Sequence, residues 1–365
     1  MASRSKDIIF LLGAGASAEA DIPISAAMID RVEEHLLNRE DWKQYHALYN
    51  HVKSAIHFSA GLKGLFNKNI PFNIETLVNT LYELERNEEH PLYPFIAAWN
   101  SRFVTLAGSD FSSVRKLRRL ILAALKKWMC PENAAKANYY RGFTALQRDL
   151  NYPLHVFSLN YDLCIERLNQ TDFKVETGFQ DFGPDHPWDW ERFEDMENSN
   201  NQPPQIVLYK LHGSINWKRN PATKDLFSVD QIETVEEDNM EVIFGRDFKL
   251  EAADPYLFFT YQFRRFTLLT KLIVIVGYGF GDRHINKMLT QSIRDERERR
   301  LVVIQRCDEN CSSHRTAEIA KTLELSEEQR EQIIVKHGSA KEFLETPDMA
   351  KQLTNMIPRT KDAPF

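Results

Sequence analysis

Residues 8–23 read IIFLLGAGASAEADIP, an unbroken apolar run followed at once by Gly13-Ala14-Gly15. An apolar run this short suits a strand that is buried on both faces, as in a parallel sheet. Glycines can adopt positive φ angles and, lacking a Cβ, let backbone N–H groups approach a phosphate. We expect residues 16–20 to begin a helix, although Ala18 stands where the third glycine of a G-x-G-x-x-G fingerprint would be. The stretch predicts either a nucleotide-binding loop or an ordinary tight strand-to-helix turn.

The composition is that of an ordinary globular protein. The chain has 365 residues, of which 43% are hydrophobic and 27% charged, and its formal charge is −6. This charge argues against a general nucleic-acid binder, and no apolar run is long enough to span a membrane. The N-terminal residues run straight into the first predicted strand, so we expect no signal peptide. The four cysteines do not suggest a disulfide framework, and we expect a reducing, cytoplasmic setting.

Residues 25–150 are predicted to be mostly helical because their apolar residues recur at helical spacing. Asn73 is a plausible N-cap for a helix that begins at residue 74. A third segment, over residues 114–128, has apolar residues on one face and Lys and Arg on the other. We interpret this basic face as solvated, and a nucleic-acid or partner surface is the alternative. A fourth segment covers residues 134–150.

Strands alternate with helices in the rest of the chain. This alternation predicts an α/β fold, a Rossmann-like doubly wound parallel sheet with a large helical insertion after the first strand. The domain hypothesis is a core over residues 1–24 and 151–340, a helical insertion over 25–150, and a C-terminal helix and tail over 341–365. The later strands are predicted at 154–159, 206–211, 272–276, 301–305 and 332–336, helices at 282–297 and 314–324, and loops or irregular excursions at 178–204 and 218–240.

Polar or glycine-rich residues follow four of the predicted strands. In a doubly wound sheet, ligands bind beyond the carboxyl ends of the strands. Turns alone would not be expected to need Asn, Asp and His at one edge, so their convergence indicates a binding site. The four segments are Gly13-Ala14-Gly15-Ala16-Ser17, Ser158-Leu159-Asn160-Tyr161-Asp162, Lys210-Leu211-His212-Gly213-Ser214 and Gly277-Tyr278-Gly279-Phe280-Gly281-Asp282.

In this order, the segments resemble those of the sirtuin family of NAD-consuming enzymes, from about residue 6 to residue 305. The family reads G-A-G-x-S, G-I-P, T-Q-N-x-D, H-G and G-x-S, and Ile22-Pro23 stands at the second of these. More closely, Asn160-Tyr161-Asp162 together with residues 211–217 (LHGSINW) looks like the bacterial sirtuin-like proteins of anti-phage defence, which hydrolyse NAD when infection is sensed.

The chain departs from sirtuin deacylases in two places. Ile24-Ser25-Ala26 follows Ile22-Pro23, where deacylases usually carry Asp-Phe-Arg. Residues 213–276 contain no cysteine, although deacylases commonly carry a zinc module of two Cys pairs there. Cys307, Cys311 and His314 offer only three ligands for a metal, and the two cysteines come too late in the chain to match the zinc module, so we expect no zinc. These departures argue against peptide-lysine deacylation and leave the NAD-cleaving core in place.

The resemblance implies a role for each matching residue. Asn160 would position a water or the ribose hydroxyls, and His212 would act as general base, since imidazole ordinarily titrates near pH 6.5. Asp162 would accept from the nicotinamide carboxamide or hold its loop. The remaining NAD-binding residues would be Gly13, Ala14, Gly15 and Ser17 at the pyrophosphate, Gly277, Tyr278, Gly279 and Gln305 at the adenosine ribose, and also Ile22, Pro23 and Ser158. Taken alone, Asn160 could also be a turn former or N-cap, and His212 a satisfied buried histidine.

The leading hypothesis is an NAD glycohydrolase that yields nicotinamide and ADP-ribose and acts in anti-phage defence by depleting NAD. Such an enzyme must be held inactive in healthy cells, so we expect control by homo-oligomerisation or by a partner. By resemblance this partner is a hexameric DNA-translocase ATPase, with the helical insertion as docking surface; no membrane or direct nucleic-acid contact is expected. The alternatives are a protein deacylase or ADP-ribosyltransferase, and a non-catalytic scaffold that binds NAD or ADP-ribose.

Overall fold

The computed structural model describes residues 7–65, 72–85, 101–108, 110–131, 133–169, 173–198, 204–242, 254–306 and 312–358. Its strands are β1 (Ile8–Leu12), β2 (Leu154–Ser158), β3 (Val175–Glu176), β4 (Ile206–Lys210), β5 (Gly213–Arg219), β6 (Leu226–Ser228), β7 (Met240–Val242), β8 (Leu272–Val276), β9 (Arg300–Gln305) and β10 (Ile333–His337).

Seven of these strands form one parallel sheet in the order β10-β9-β8-β1-β2-β4-β3. β1 lies in the middle, where Ile9 is opposite His155 on one side and Ile273 on the other. Every residue of β1 is at most 1% exposed, as its unbroken apolar sequence predicts. The Rossmann-like α/β fold class is confirmed.

The α-helices cover both faces of this sheet. Those that precede β2 are α1 (Ser25–Asn38), α2 (Glu40–Lys43), α3 (His46–Leu62), α4 (Ile74–Glu85), α5 (Ser101–Ala107), α6 (Ser112–Trp128) and α7 (Gly142–Leu150). Those that follow it are α8 (Glu191–Asn198), α9 (Tyr256–Leu269), α10 (Arg283–Asp295), α11 (Ser312–Thr322), α12 (Glu327–Arg330), α13 (Ala340–Glu345) and α14 (Met349–Met356). Among the helices described, none is both long and apolar enough to cross a bilayer.

Alternate residues of β1 belong to different cores. Ile8, Phe10 and Leu12 pack with α1, α4, α6, α7 and the C-terminal helices α13 and α14. Ile9 and Leu11 pack with α9, α10 and α11 on the other face. Because successive side chains of a strand point to opposite faces, one short strand anchors both layers. The insertion predicted after the first strand therefore covers one face of the sheet.

Three expectations about polar segments need correction. Residues 178–204, expected to be a loop, contain the helix α8 (Glu191–Asn198). Residues 218–240, where a loop or a small irregular excursion was expected, contribute the end of β5, the whole of β6 and the start of β7 to a three-stranded antiparallel sheet in the order β6-β5-β7. The basic face of α6 is not simply solvated: Arg118 is 7% exposed, and its Nη2 donates to Asp238 beside β7 at 2.7 Å. Acidic residues of the segment just before β7 therefore pair with basic residues of α6.

Candidate functional site

Two glycine-containing loops pack backbone against backbone at the carboxyl end of the sheet. Gly13 N–H donates to Val276 O and Gly15 N–H to Gly277 O, both at 2.9 Å. A Cβ on Gly13 would lie 2.6 Å from the Tyr278 Cα, and one on Gly15 would lie 2.9 Å from the Gly277 Cα. These glycines are thus required by loop packing, and both N–H groups have backbone partners. The helix expected from residue 16 is a 3₁₀ helix, Ala14–Ala20.

Asn160 follows β2 and is held by two serines. Its backbone N–H donates to Ser158 Oγ at 3.1 Å, and its side-chain Nδ2 donates to Ser17 Oγ at 3.2 Å. The residue is 7% exposed, and its Oδ1 has no hydrogen-bond partner among the residues described. A buried polar atom without a partner is uncommon in folded proteins. The amide oxygen of Asn160 is therefore available to accept a hydrogen bond from a ligand.

His212 follows β4, and Asp282 holds its imidazole. His212 Nε2 lies 3.0 Å from Asp282 Oδ2, with the side chains 4% and 8% exposed. Asp282 is also the N-cap of α10, where its Oδ1 accepts from the backbone N–H groups of His284 and Ile285. The two bonds to the helix fix the carboxylate, so the carboxylate in turn fixes the imidazole.

A cavity of about 540 Å³ brings most of the predicted residues together. This volume is within the range of small-molecule sites. The predicted residues on its wall are Gly13, Ala14, Gly15, Ile22, Pro23, Asn160, Asp162, His212, Gly277, Tyr278, Gly279 and Gln305.

Ser17 and Ser158 do not line the cavity. Ser17 is fully buried; its hydroxyl donates to Asp162 Oδ2 at 2.7 Å and lies 2.8 Å from the Tyr140 hydroxyl. Asp162 Oδ1 accepts from Cys164 N–H at 3.0 Å, so the carboxylate holds its own loop. Tyr139 in the insertion donates to Ala16 O at 2.6 Å. Ser17 is therefore buried behind the cavity wall and supports it through Asp162.

Three carboxylate residues on the cavity wall, Glu19, Glu75 and Asp282, were missing from the predicted set. Asp282 stood in a quoted segment, but only the fold shows that it reaches His212. Glu75, at the start of α4, accepts from the Tyr161 hydroxyl at 3.4 Å, and Asn73 caps this helix as predicted, through Thr76 N–H at 2.8 Å. Glu19 accepts from Arg306 Nη2 at 2.5 Å. No sequence signal links Glu75 to the site, because it lies in the insertion.

The phenols beside His212 stay protonated. Burial raises the pKa of Tyr161, and the nearby carboxylates of Glu75 and Asp282 raise it further. Burial and the charge of Asp282 likewise raise the pKa of Tyr278, whose hydroxyl donates to Asn286 Oδ1 at 2.9 Å. Both residues act as neutral hydrogen-bonding groups in this part of the cavity.

The metal candidate cannot be placed as a group. Cys307 and Cys311 lie outside the described residues, and His314 is on the surface, 3.7 Å from Glu318. Within the described part of the chain, no cluster of His, Cys, Asp and Glu could hold a metal ion.

Comparison with known families gives one match. Residues 154–334 match the SIR2-like domain. The matched range contains Asn160, His212 and residues 277–282, whereas the loop at residues 13–15 and the insertion lie outside it. This match supports a sirtuin-like family. A comparison with curated proteins gave no match.

Solved Sir2 structures superpose on the chain only loosely. A mutant Sir2 homologue in complex with 2′-O-acetyl ADP-ribose is 13% identical with a TM-score of 0.42, over 98% of this chain and 96% of that chain. A Sir2 homologue–NAD complex is 13% identical with a TM-score of 0.39, over 97% of this chain and 93% of that chain. Both TM-scores are below 0.5, so the fold is assigned from the observed strand order and not from these structures.

Proposed function

We propose that this protein is an NAD glycohydrolase that cleaves NAD to nicotinamide and ADP-ribose. The proposal rests on one observation. Asn160 and His212 both line the same cavity, and the Oδ1 of Asn160 is buried and unpartnered in the described structure. The SIR2-like match over both residues supports the proposal.

The proposed reaction breaks the glycosidic C–N bond, and its electron pair leaves with the nicotinamide nitrogen. This pair neutralises the cationic ring, so the leaving group is neutral and the ribose carbon passes through an oxocarbenium-like transition state. A water oxygen then bonds to that carbon. Asn160 Oδ1 would accept from this water or from a ribose hydroxyl, and His212 would take the proton that the water loses.

The cavity wall supports this assignment in two ways. Glu75, Asp162 and Asp282 make the region around Asn160 and His212 acidic, which suits a cationic nicotinamide ring and a developing oxocarbenium ion. The loops at residues 13–15 and 277–279, with Gln305, would hold the rest of the dinucleotide. We do not assign Ser17 a direct contact with NAD, since its hydroxyl is enclosed behind Asp162.

The biological proposal is NAD depletion as the effector step of bacterial anti-phage defence. The enzyme would then be restrained by homo-oligomerisation or by a partner, such as the hexameric DNA-translocase ATPase that the resemblance implies. Gel filtration of the purified protein, with NAD cleavage measured in each fraction, tests this control. A monomer that is fully active without any partner would contradict it.

The test of the activity is nicotinamide release from NAD by the purified protein, without an acylated peptide. We expect His212→Ala to lower kcat by about 10²–10⁴-fold, the usual worth of a positioned acid–base group. Asn160→Ala should lower kcat by about 10²-fold or more, because the water or ribose is no longer held in place. His314→Ala is the matched control, because this histidine is exposed and outside the cavity; it should keep wild-type activity.

Two results would favour the alternatives. Nicotinamide release that depends on an acyl-lysine peptide would indicate a deacylase, and release that depends on a protein acceptor would indicate an ADP-ribosyltransferase. NAD binding without turnover in wild type and both variants, with or without candidate partners, would indicate a scaffold.

A further inference from the structure

The buried pair of Asp282 and His212 determines which imidazole nitrogen is the base. A carboxylate can only accept a hydrogen bond, so the ring nitrogen that faces it must carry a hydrogen. Asp282 Oδ2 faces His212 Nε2 at 3.0 Å, and therefore Nε2 is the protonated nitrogen. In a neutral imidazole with a hydrogen on Nε2, the lone pair is on Nδ1.

We propose that Asp282 is a positioning residue that holds His212 in the Nε2–H tautomer and so makes Nδ1 the basic nitrogen. The catalytic consequence rests on the proposed NAD cleavage, whereas the tautomer itself does not. Asp282 bonds to the base, and the effect proposed here passes through His212, in addition to the negative charge that Asp282 adds to the cavity wall.

Three features of the surrounding structure allow Asp282 to hold this position. Its Oδ1 is bound to the first turn of α10 at 2.8 and 3.2 Å, which leaves Oδ2 directed at the imidazole. Its backbone N–H donates to the Tyr278 hydroxyl at 3.1 Å, and Tyr278 is itself held by Asn286. Asn286 Nδ2 donates to Phe280 O at 2.8 Å, which fixes the loop from the helix side. The carboxylate is thus oriented by bonds to α10 and its loop that are separate from its bond to His212.

The decisive variant is Asp282→Asn, because an asparagine can keep the helix cap while it changes the hydrogen bond to His212. Its Oδ1 can accept from residues 284 and 285 as before, since Asn and Asp are similar as N-caps. Its Nδ2 then faces His212 Nε2 as a donor, so Nε2 must become the acceptor and the hydrogen must move to Nδ1. A comparable carboxylate-to-amide change beside a catalytic histidine produces the wrong tautomer in serine proteases.

The control variant is Asn286→Ala, which removes loop-supporting hydrogen bonds and leaves Asp282 in place. If Asp282 acted only by holding the loop and the start of α10, the two variants would behave alike. Thermal unfolding of both proteins establishes that each remains folded before the histidine is examined.

The experiment records the ¹⁵N chemical shifts of the His212 ring in the full-length protein, labelled at histidine and assigned with His212→Ala. We expect the Nε2–H form in wild type and in Asn286→Ala, and the Nδ1–H form in Asp282→Asn. An Nδ1–H form in the wild type, or an unchanged tautomer in Asp282→Asn, would overturn the proposal. These shifts are measured without NAD, so they decide the tautomer even if the protein does not cleave NAD.

The kinetic arm uses the same proteins with NAD over a range of pH. We expect Asp282→Asn to lower kcat by about 10²-fold or more with little change in KM, since a general base in the wrong tautomer cannot accept the proton. The other ionisable groups on this part of the cavity wall, Glu75, Asp162, Tyr161 and Tyr278, are the same in both proteins. Wild-type kcat in Asp282→Asn would overturn the catalytic part alone.

Discussion

At Gly277 the backbone has a φ of +65°, and a Cβ would overlap the backbone of Gly15 and Ala16. This residue joins the two loops that form the floor of the cavity, and its carbonyl accepts from Gly15 N–H. Any side chain here must therefore either strain its own backbone or separate the loops.

Gly277→Ala should lower the free energy of unfolding by about 2–5 kcal/mol, since left-handed backbone strain adds to overpacking. Gly279→Ala is the matched control: a Cβ there has no atom within 4 Å, and it should change stability by less than about 0.5 kcal/mol. Urea unfolding followed by circular dichroism measures both. Equal stabilities of the two variants would show that the loops can separate without cost.

On the scale of elements, α6 joins the insertion to the small antiparallel sheet. Arg118 donates to Glu85 on α4 at 2.6 Å and to Asp238 at 2.7 Å, and Lys126 donates to Val235 O at 2.6 Å. Burial raises the pKa of Asp238, but the hydrogen bonds and charges of Arg119 and Arg118 lower it more, so the net pKa lies below its ordinary value of 3.8. The ionised carboxylate thus stabilises the folded state.

This lowered pKa predicts a pH-dependent loss of stability. The contribution of Asp238 is fully present above its unfolded pKa, near 3.8, and is lost as pH falls through the lower folded pKa. Asp238→Asn should lower the free energy of unfolding by about 1–3 kcal/mol at pH 7, and the difference from wild type should become smaller below about pH 4. The measurement is urea unfolding from pH 7 to pH 3.

The matched control is Glu328→Gln. Glu328 pairs with Arg297 at 3.5 Å, but the side chains are 83% and 91% exposed, so we expect no measurable change. A difference in unfolding free energy between Asp238→Asn and wild type that stays constant with pH would contradict the electrostatic account.

Much of the element pattern could be predicted from the sequence. The strand over residues 272–276 was predicted at its observed ends, and the helix predicted over 282–297 is α10 (Arg283–Asp295). Both segments have a strong periodicity or an unbroken apolar run. β3 and β6 were missed because two- and three-residue strands carry almost no pattern, and their pairing comes from the tertiary fold.

The site was predictable in part, for a different reason. Residues at the ends of parallel strands meet by topology alone, so Asn160, His212 and residues 277–279 were predicted to meet before their contacts were known. The orphan Asn160 oxygen, the Asp282–His212 bond and the position of Glu75 depend on side-chain directions and on how the insertion folds back. No local pattern encodes these.

On the scale of the whole molecule, the insertion and the sheet share one core. Ile8, Phe10 and Leu12 of β1 pack in the same cluster as Trp42, Leu117 and Leu353 from the insertion and the C-terminal helices. A shared core of this kind does not allow one part to lose its packing while the other keeps it.

Native-state hydrogen exchange should therefore give β1 and α6 the same free energy of opening, equal to that of global unfolding. α12, which buries no residue, should exchange at a much lower free energy and serves as the internal reference for local opening. If α6 exchanged as readily as α12, the insertion would be an independently unfolding unit.

The central place of β1 has a consequence for the newly made chain. Its neighbours on the two sides are β2 and β8, so Ile8 finds its partner Leu272 only after the 263 residues between them have been translated. At ordinary elongation rates the intervening chain takes on the order of tens of seconds to make, and contacts so distant in sequence form slowly. The cavity needs residues on both sides of this gap. A nascent chain that ends before β8 consequently cannot carry the complete site, and any activity of the protein begins only after both glycine-containing loops have been made.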